Sequence, residues 1–215
     1  MDSTPDQTGV SFSLLETMRL DEGTSVRCER HLTRLAASAH HFAFTYDEGA
    51  IRAAIHSTER AHPEGSWRVR VLVSRDGTPT IECTRYIPDS RSPWRVAFAK
   101  DPVNRHDPFL FNKTTNRVVY EAARRARPDA DDVILWNERG EVTEATIANL
   151  VAEVDGLRYT PPVACGLLGG VFRAELLAAG QVAERVLTRS DVAGASRLWL
   201  INSVREWIDA ELVGD

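Results

Sequence analysis

The lysines of this sequence are the first residues that suggest chemistry. Among 26 basic residues, only Lys100 and Lys113 are lysines, and the rest are arginines. Arginine serves for surface charge and bidentate binding, but it keeps its proton and cannot act as an amine nucleophile. Lys113 lies in a polar turn before a predicted helix, a suitable place for a reactive amine. On position and scarcity alone, an ordinary surface lysine remains the alternative.

Glu144 is a second candidate, because it lies in the otherwise uncharged run 142–150. A carboxylate in such a run is expected to be partly buried and to need a cationic or proton-donating partner. A protonated pyridine nitrogen would satisfy it. The alternative is an exposed glutamate on a strand.

A glycine-rich stretch, 166–170, precedes a predicted helix that begins at Val171. Free N–H groups at a helix N-terminus attract anions, so a phosphate could bind the amides of Val171 and Phe172. An ordinary turn before a helix is the alternative.

Two further places could contact an anion. His31 and Arg34 lie three residues apart on one face of a predicted helix, and Arg34 could reach a phosphate. Both could instead line the solvent side of that helix. Asn202 and Ser203 end an apolar strand, where small polar residues bind ligands or simply turn the chain.

Composition excludes several classes of protein. The chain has 215 residues, 43% hydrophobic and 27% charged, which is typical of a globular protein. Its net charge of −5 does not suggest nucleic-acid binding. No segment approaches the roughly 20 apolar residues that span a bilayer. Residues 1–10 are polar and lack the core of a signal peptide, so a disordered lead-in and a cytoplasmic location are expected.

Metal chemistry is not expected either. The three cysteines are far apart and form no C-x-x-C pair. The six histidines have no metal-ligand spacing, and no Ser-His-Asp pattern has a recognisable nucleophile turn.

The elements that must position these residues fall into two groups. Hydrophobic periodicity predicts a small N-terminal α+β domain, residues 11–102, and a second domain of strands and helices, residues 103–215. The first holds strands 10–20, 67–74, 79–86 and 94–99 and helices 29–43 and 47–61. The second holds a loop to 113, helices 115–126, 171–179 and 190–195, and strands 132–137, 142–145, 149–154, 182–187 and 197–202.

Together the motifs resemble the fold-type IV pyridoxal-phosphate enzymes, the group of branched-chain aminotransferases and aminodeoxychorismate lyases. Residues 31–35 with Ser38-Ala39 are similar to the group's H-L-x-R-L…S-A helix. Residues 160–162 and 166–173 are similar to its T-P…G-x-L-x-G-[IV]-x-R phosphate turn. The resemblance implies a two-domain α+β fold like that of D-amino acid aminotransferase, with a small N-terminal domain and a larger C-terminal pseudo-barrel.

The resemblance also implies roles around a pyridoxal 5'-phosphate. Lys113 would bind the cofactor covalently and act as the catalytic base, and Glu144 would face the pyridine nitrogen. The remaining predicted cofactor-binding residues are Arg34, Asn149, Val171, Phe172, Asn202 and Ser203.

Within the group, Lys113-Thr-Thr-Asn116-Arg117 resembles the lyase pattern K-x-x-N-R, and Phe172 stands where branched-chain aminotransferases have a threonine. This implies lysis of 4-amino-4-deoxychorismate to 4-aminobenzoate and pyruvate, in folate biosynthesis. A branched-chain or D-amino acid aminotransferase, and a non-catalytic binding subunit, are the alternatives.

Substrate contacts are predicted at Thr17, Arg75 and Arg105. The group's glycine-rich D-x-x-x-x-x-G-D-G stretch is not found before Leu14, so some substrate contacts are expected to differ. The group also implies a homodimer acting on a small molecule, without metal, membrane or nucleic acid.

Overall fold

The computed structural model describes residues 11–214, and the predicted disordered lead-in, 1–10, lies outside this range. Its strands are β1 Leu14–Asp21, β2 Thr24–Ser25, β3 Ser66–Val73, β4 Pro79–Arg85, β5 Trp94–Phe98, β6 Asp132–Trp136, β7 Val142–Ala145, β8 Asn149–Val154, β9 Leu157–Thr160, β10 Ala183–Glu184, β11 Arg197–Asn202 and β12 Glu206–Leu212. Its helices are α1 Cys28–His41, α2 Glu48–Ala61, α3 Pro108–Phe111, α4 Val118–Ala126, α5 Val171–Ala178 and α6 Arg189–Ala193.

The smaller sheet has the order β2-β1-β3-β4. Alternation along β3 buries Val69, Val71 and Val73 in one core with apolar residues of β1, α1 and α2. Arg68 and Arg70, which alternate with Val69 and Val71, therefore project from the opposite face. That face is directed toward the rest of the molecule and carries polar side chains.

The larger sheet has the order β10-β9-β8-β11-β12-β5-β6-β7, and a further pairing joins β7 to β8. This pairing closes the sheet into a barrel-like structure, with one register pair, Glu144 opposite Asn149. Two predicted site residues are therefore placed side by side by closure of the sheet. The two-domain fold-type IV architecture implied by the sequence is confirmed.

The two sheets are joined at the segment that carries Lys113. The Lys113 carbonyl accepts a hydrogen bond from Leu15 N at 2.9 Å, and Thr115 N donates to the Ser13 carbonyl. The start of β1 thus fixes the lysine segment between the two sheets. By sheet membership, β5 belongs with the larger sheet because it pairs with β6 and β12. We propose a domain boundary between β4 and β5 rather than after residue 102.

Local element predictions differ from the structure in four places. The predicted strand 182–187 is only Ala183–Glu184, because Leu187 instead accepts a hydrogen bond from Val142 N across a loop. The predicted helix 115–126 begins at Val118, because the preceding residues bond to the start of β1. The short helix α3 was expected to be loop, and β12 was not predicted.

Among residues 11–214, no helix has the length and apolar character needed to cross a bilayer. The same residues contain no group of three His, Cys, Asp or Glu side chains placed to hold a metal ion.

Candidate active site

A central pocket lies between the two sheets, with a cavity of about 250 Å³. It is lined by β1 and β3 of the smaller sheet, by the Lys113 segment, by the β7–β8 closure, by the start of α5 and by the β11–β12 turn. The pocket contains predicted residues from six separate segments of the sequence. They are Lys113, Arg34, Glu144, Asn149, Val171, Phe172, Asn202, Ser203 and Thr17.

Lys113 lies in this pocket, whereas Lys100 is exposed. Burial, reinforced by the nearby Arg34 guanidinium, lowers the pKa of Lys113 from 10.5 to about 8. No hydrogen bond or ion pair joins its amine to another residue in the described part of the chain. A much larger fraction of this amine than of an ordinary lysine is therefore neutral and nucleophilic near neutral pH.

Glu144 is buried beside hydrogen-bond donors that carry no charge. Tyr120 Oη donates to its Oε1 at 2.8 Å, Leu168 N to the same oxygen at 3.2 Å, and Asn149 Nδ2 to Oε2 at 3.2 Å. Burial dominates over these donors and raises the pKa of Glu144 from 4.5 to about 7. The carboxyl is poised to pair with a cation that enters the pocket.

The start of α5 forms one end of the pocket and presents its first backbone N–H groups there. The first backbone N–H groups of a helix have no acceptor within it, and here they belong to Val171 and Phe172. A Cβ atom at Gly170 would lie 1.9 Å from Asn149 Oδ1, so only glycine fits there. Arg34 Nη1 donates to the Gly169 carbonyl at 3.0 Å, which places its guanidinium at the same end.

His31 and Arg34 both face inward, which excludes the solvent-side alternative. Both contact Glu16, a β1 residue that the sequence did not single out. Glu16 accepts two bonds from Arg34, Nε to Oε1 at 2.8 Å and Nη2 to Oε2 at 2.6 Å. Although burial opposes ionisation, the Arg34 guanidinium and the His31 hydrogen bond together lower the pKa of Glu16 to about 2.

The β11–β12 turn brings Asn202 and Ser203 to the pocket. Asn202 Oδ1 accepts hydrogen bonds from Val204 N and Arg205 N, so this side chain also stabilises the turn itself. Ser203 Oγ lies 2.8 Å from His31 Nε2.

Of the three predicted substrate contacts, one lines the pocket and two do not. Thr17 lines the pocket and lies opposite Arg70 in the β1–β3 register. Arg75 does not line it, because its guanidinium lies over the Phe44 ring at 4.7 Å, on the smaller domain's own core. Arg105 does not line it either, since it contacts Glu138 and the Ala164 carbonyl. The structure therefore places neither Arg75 nor Arg105 among the residues that line the pocket.

Two other arginines, which were not predicted as substrate contacts, line the pocket. Arg68 and Arg70 line the pocket from β3. Arg70 Nη1 pairs with Glu82 at 2.6 Å, and the Arg68 guanidinium has no hydrogen bond or ion pair within residues 11–214. The signal in the sequence was the alternation of arginine and valine in 68–71, which predicts a polar face but not what that face meets.

The lysine segment is held by α4 and the β7–β8 loop. Arg117 Nη2 donates to the Thr146 carbonyl, and the Arg117 guanidinium lies 4.6 Å from the centroid of the Tyr120 ring. Burial and the adjacent Glu144 raise the pKa of Tyr120, so its hydroxyl keeps its proton and donates. The sequence did not point to Tyr120, which reaches Glu144 only through tertiary packing.

The closed sheet, the unpaired amine and the anion-binding helix end together define an enzyme of the fold-type IV pyridoxal-phosphate class. The sequence matches the family described as Amino-transferase class IV over residues 13–213. The chain belongs to this family of pyridoxal-phosphate-dependent enzymes.

Comparison with individual proteins gives two kinds of relative. A Schizosaccharomyces pombe protein described as "Putative aminodeoxychorismate lyase" is 32% identical over 207 residues, 90% of this chain and 87% of its own length. A Mesorhizobium loti structure described as a "Putative amino-acid aminotransferase" is 36% identical, with a TM-score of 0.88 over 94% of this chain and 100% of that one.

The 4-amino-4-deoxychorismate lyase of Pseudomonas aeruginosa shares the fold, with a TM-score of 0.78 over 94% of this chain and 83% of that one. At 20% identity, this likeness concerns the fold alone.

Proposed function

We propose that this chain is a pyridoxal-phosphate-dependent 4-amino-4-deoxychorismate lyase, which releases 4-aminobenzoate and pyruvate. The observation that carries the proposal is one pocket containing an unpaired amine, Lys113, a cation-seeking carboxyl, Glu144, and two arginines from β3. The substrate carries one amine and two carboxylates, which suits that set of groups. The Schizosaccharomyces pombe relative supports the same reaction.

The residues fit three polar groups of the cofactor, which are its aldehyde, its pyridine nitrogen and its phosphate. The amine of Lys113 has no partner in the described part of the chain, and its lowered pKa of about 8 makes part of it neutral and available for the aldehyde. Glu144 would pair with the pyridine nitrogen. Arg34, the first amides of α5 and Ser203 would hold the phosphate.

When bound, pyridoxal phosphate supplies an electron-accepting ring that stabilises negative charge on the amine-bearing carbon of the substrate. Lys113 Nζ would take the proton from that carbon, and the electron pair left behind would expel the enolpyruvyl oxygen from the neighbouring carbon, so that this group leaves as the enol of pyruvate. A pKa of about 8 is suitable for a general base near neutral pH. Glu144 holds the proton at the ring nitrogen, and Tyr120 and Asn149 keep its carboxyl oriented.

We infer that the substrate carboxylates bind Arg68 and Arg70, in place of Arg75 and Arg105. A guanidinium binds a carboxylate through two parallel hydrogen bonds. Arg68 is available for this, and Arg70 would exchange its exposed pairing with Glu82 for the substrate.

The decisive experiment is incubation of the purified protein with aminodeoxychorismate and detection of 4-aminobenzoate. We expect product with wild type and none with Lys113→Ala, while Lys100→Ala serves as the matched control and keeps full activity. Wild type should also be yellow, with a visible absorption band that Lys113→Ala lacks. A colourless wild type would contradict the cofactor assignment.

Arg68→Gln and Arg70→Gln should each raise KM for aminodeoxychorismate by about 10-fold or more, the loss expected for a charge-assisted hydrogen bond. Arg75→Gln is the control and should leave KM unchanged. An unchanged KM in both β3 variants would remove these arginines from the substrate site.

The second candidate is an aminotransferase, which the Mesorhizobium loti relative supports. A transaminase releases a keto acid from an amino donor before any acceptor is added, in an amount equal to the enzyme. Such release, without formation of 4-aminobenzoate, would favour this candidate over the lyase.

A further inference from the structure

A buried line of contacts runs behind the anion-binding end of the pocket. Glu16 Oε2 lies 2.7 Å from His31 Nδ1, and His31 Nε2 lies 2.8 Å from Ser203 Oγ. Glu16 is 1% exposed and His31 is 0% exposed. The three residues come from β1, α1 and the β11–β12 turn, so the line crosses from the smaller sheet to the larger one. The proposed reaction gives no role to Glu16 or His31.

The direction of the hydrogen bond between His31 and Glu16 follows from the chemistry of the two groups. An ionised carboxylate only accepts, so His31 Nδ1 carries the hydrogen of the bond to Glu16. The same carboxylate accepts from both Nε and Nη2 of Arg34. One buried group therefore fixes the plane of the Arg34 guanidinium directly and the position of Ser203 through His31.

The three residue types also form the nucleophile-activating triad of many hydrolases. In this pocket, however, the carboxylate is shared with Arg34, and Ser203 lines the same cavity as the free amides of α5. Arginine, a hydroxyl and helix N-terminal amides are all groups that bind a phosphate. An anion-binding arrangement accounts for all four side chains, whereas a triad leaves Arg34 unexplained.

We propose that Glu16 and His31 are positioning residues, which hold Arg34 and Ser203 in place to bind the phosphate monoester of the ligand at the start of α5. Neither residue needs to touch the ligand. This inference rests on the proposed cofactor but not on the proposed reaction.

The test uses two ligands that differ only in the phosphate, pyridoxamine 5'-phosphate and pyridoxamine. Neither has an aldehyde, so neither can bond covalently to Lys113. Affinities for cofactor-free protein are measured by calorimetry, or by competition where binding is weak. For His31→Asn we expect binding of the phosphorylated ligand to weaken about 10-fold or more, and binding of pyridoxamine to change less than about twofold.

His40→Asn is the matched control, because His40 is an exposed histidine of the same helix. It should change neither affinity. Equal weakening of both ligands by His31→Asn would mean a general structural role, and no weakening of either would mean no role. Both results would overturn the proposal.

Ser203→Ala provides a second route if His31→Asn does not fold. It should weaken phosphate binding selectively, and adding His31→Gln to it should have little further effect, because His31 acts through Ser203. Fully additive effects would overturn the proposed connection. If wild type itself shows no preference for the phosphorylated ligand, the phosphate site is wrong, whereas a missing lyase activity alone contradicts only the reaction.

Discussion

Glu16 and Glu144 are two buried carboxyls at the same pocket, and their environments shift them in opposite directions. Burial raises the pKa of Glu144 to about 7, whereas contacts with Arg34 and His31 lower the pKa of Glu16 to about 2. Among the described residues, Glu144 has only a hydroxyl, an amide side chain and a backbone N–H as hydrogen-bond partners. Both carboxyls are buried, so the opposite directions of their pKa shifts come from the charge of their partners.

This contrast suggests a division of roles. Glu16 already has its cation, so it is suited to holding other side chains in place. Glu144 still lacks one, so it is suited to receiving a cationic group of a ligand. Lys113 lies near both, and each carboxylate raises its pKa against the stronger effect of burial.

The largest expected effect tests this division through turnover. Glu144→Gln should retain bound cofactor but lose activity by roughly 10²–10⁴-fold, because an amide cannot hold the proton at the pyridine nitrogen. Activity is measured as 4-aminobenzoate formation and cofactor content by absorbance. Glu153→Gln, on the same sheet but outside the pocket, is the control. Unchanged turnover would show that Glu144 takes no part in the reaction.

The next largest effect concerns stability, which should depend strongly on Glu16 and only weakly on Glu144. Glu16→Gln should lower the free energy of unfolding by about 3–5 kcal/mol, because it leaves Arg34 with a buried and uncompensated charge. Glu144→Gln should change it by less than about 1 kcal/mol, since the amide can still accept from Tyr120. Urea denaturation of cofactor-free protein at pH 5, where Glu144 is protonated and Glu16 is ionised, and at one protein concentration measures both. Equal losses in the free energy of unfolding of the two variants would contradict the proposed division of roles.

The pH dependence of stability should show two separate windows. The pKa of Glu16 is about 2 in the fold and ordinarily 4.5, so its contribution of about 3 kcal/mol is present above pH 4.5 and lost as the pH falls toward 2. The pKa of Glu144 is raised to about 7, so about 3 kcal/mol of stability is lost as the pH rises from 4.5 to 7.

The second window can be measured directly in the cofactor-free protein. Between pH 5 and pH 8, wild type should lose stability relative to Glu144→Gln. A constant difference between the two proteins across this range would contradict the assigned shift.

The smallest expected effect tests how the Tyr120 hydroxyl influences the pKa of Glu144. Tyr120→Phe removes a donor that favours the charged carboxylate, so the pKa of Glu144 should rise further, by about one unit. The Glu144-dependent loss of stability should move to higher pH by the same amount, and turnover should fall about 10-fold. Tyr86→Phe, which does not line the pocket, is the control. An unmoved window would show that the Tyr120 hydroxyl does not act on Glu144.

Part of the fold and site could be predicted from local patterns. The two α+β domains follow from hydrophobic periodicity, and Lys113 follows from its rarity among the basic residues. The glycines before α5 predict an anion-binding turn because their effect is carried by adjacent backbone amides. These features depend on neighbours in sequence, and they are therefore visible without a structure. The roles of the individual residues stay predictions that the experiments above test.

The rest depended on contacts between distant segments. Alternation gives β3 a polar face, but only packing of the two sheets directs Arg68 and Arg70 into the pocket and leaves Arg75 outside it. Glu16 is 15 residues from His31, and His31 is 172 residues from Ser203. Contacts between residues so far apart in sequence produce no periodic pattern of residue types.

The same reasoning applies to Lys113. The sequence by itself determined that one scarce lysine stands before a helix. Only the tertiary structure decided that its amine has no hydrogen-bond partner among the described residues and lies between a carboxyl that has its cation and one that lacks it. The physical reason is that burial and charge pairing are properties of the packed site, and the chain assembles that site from six elements far apart in sequence.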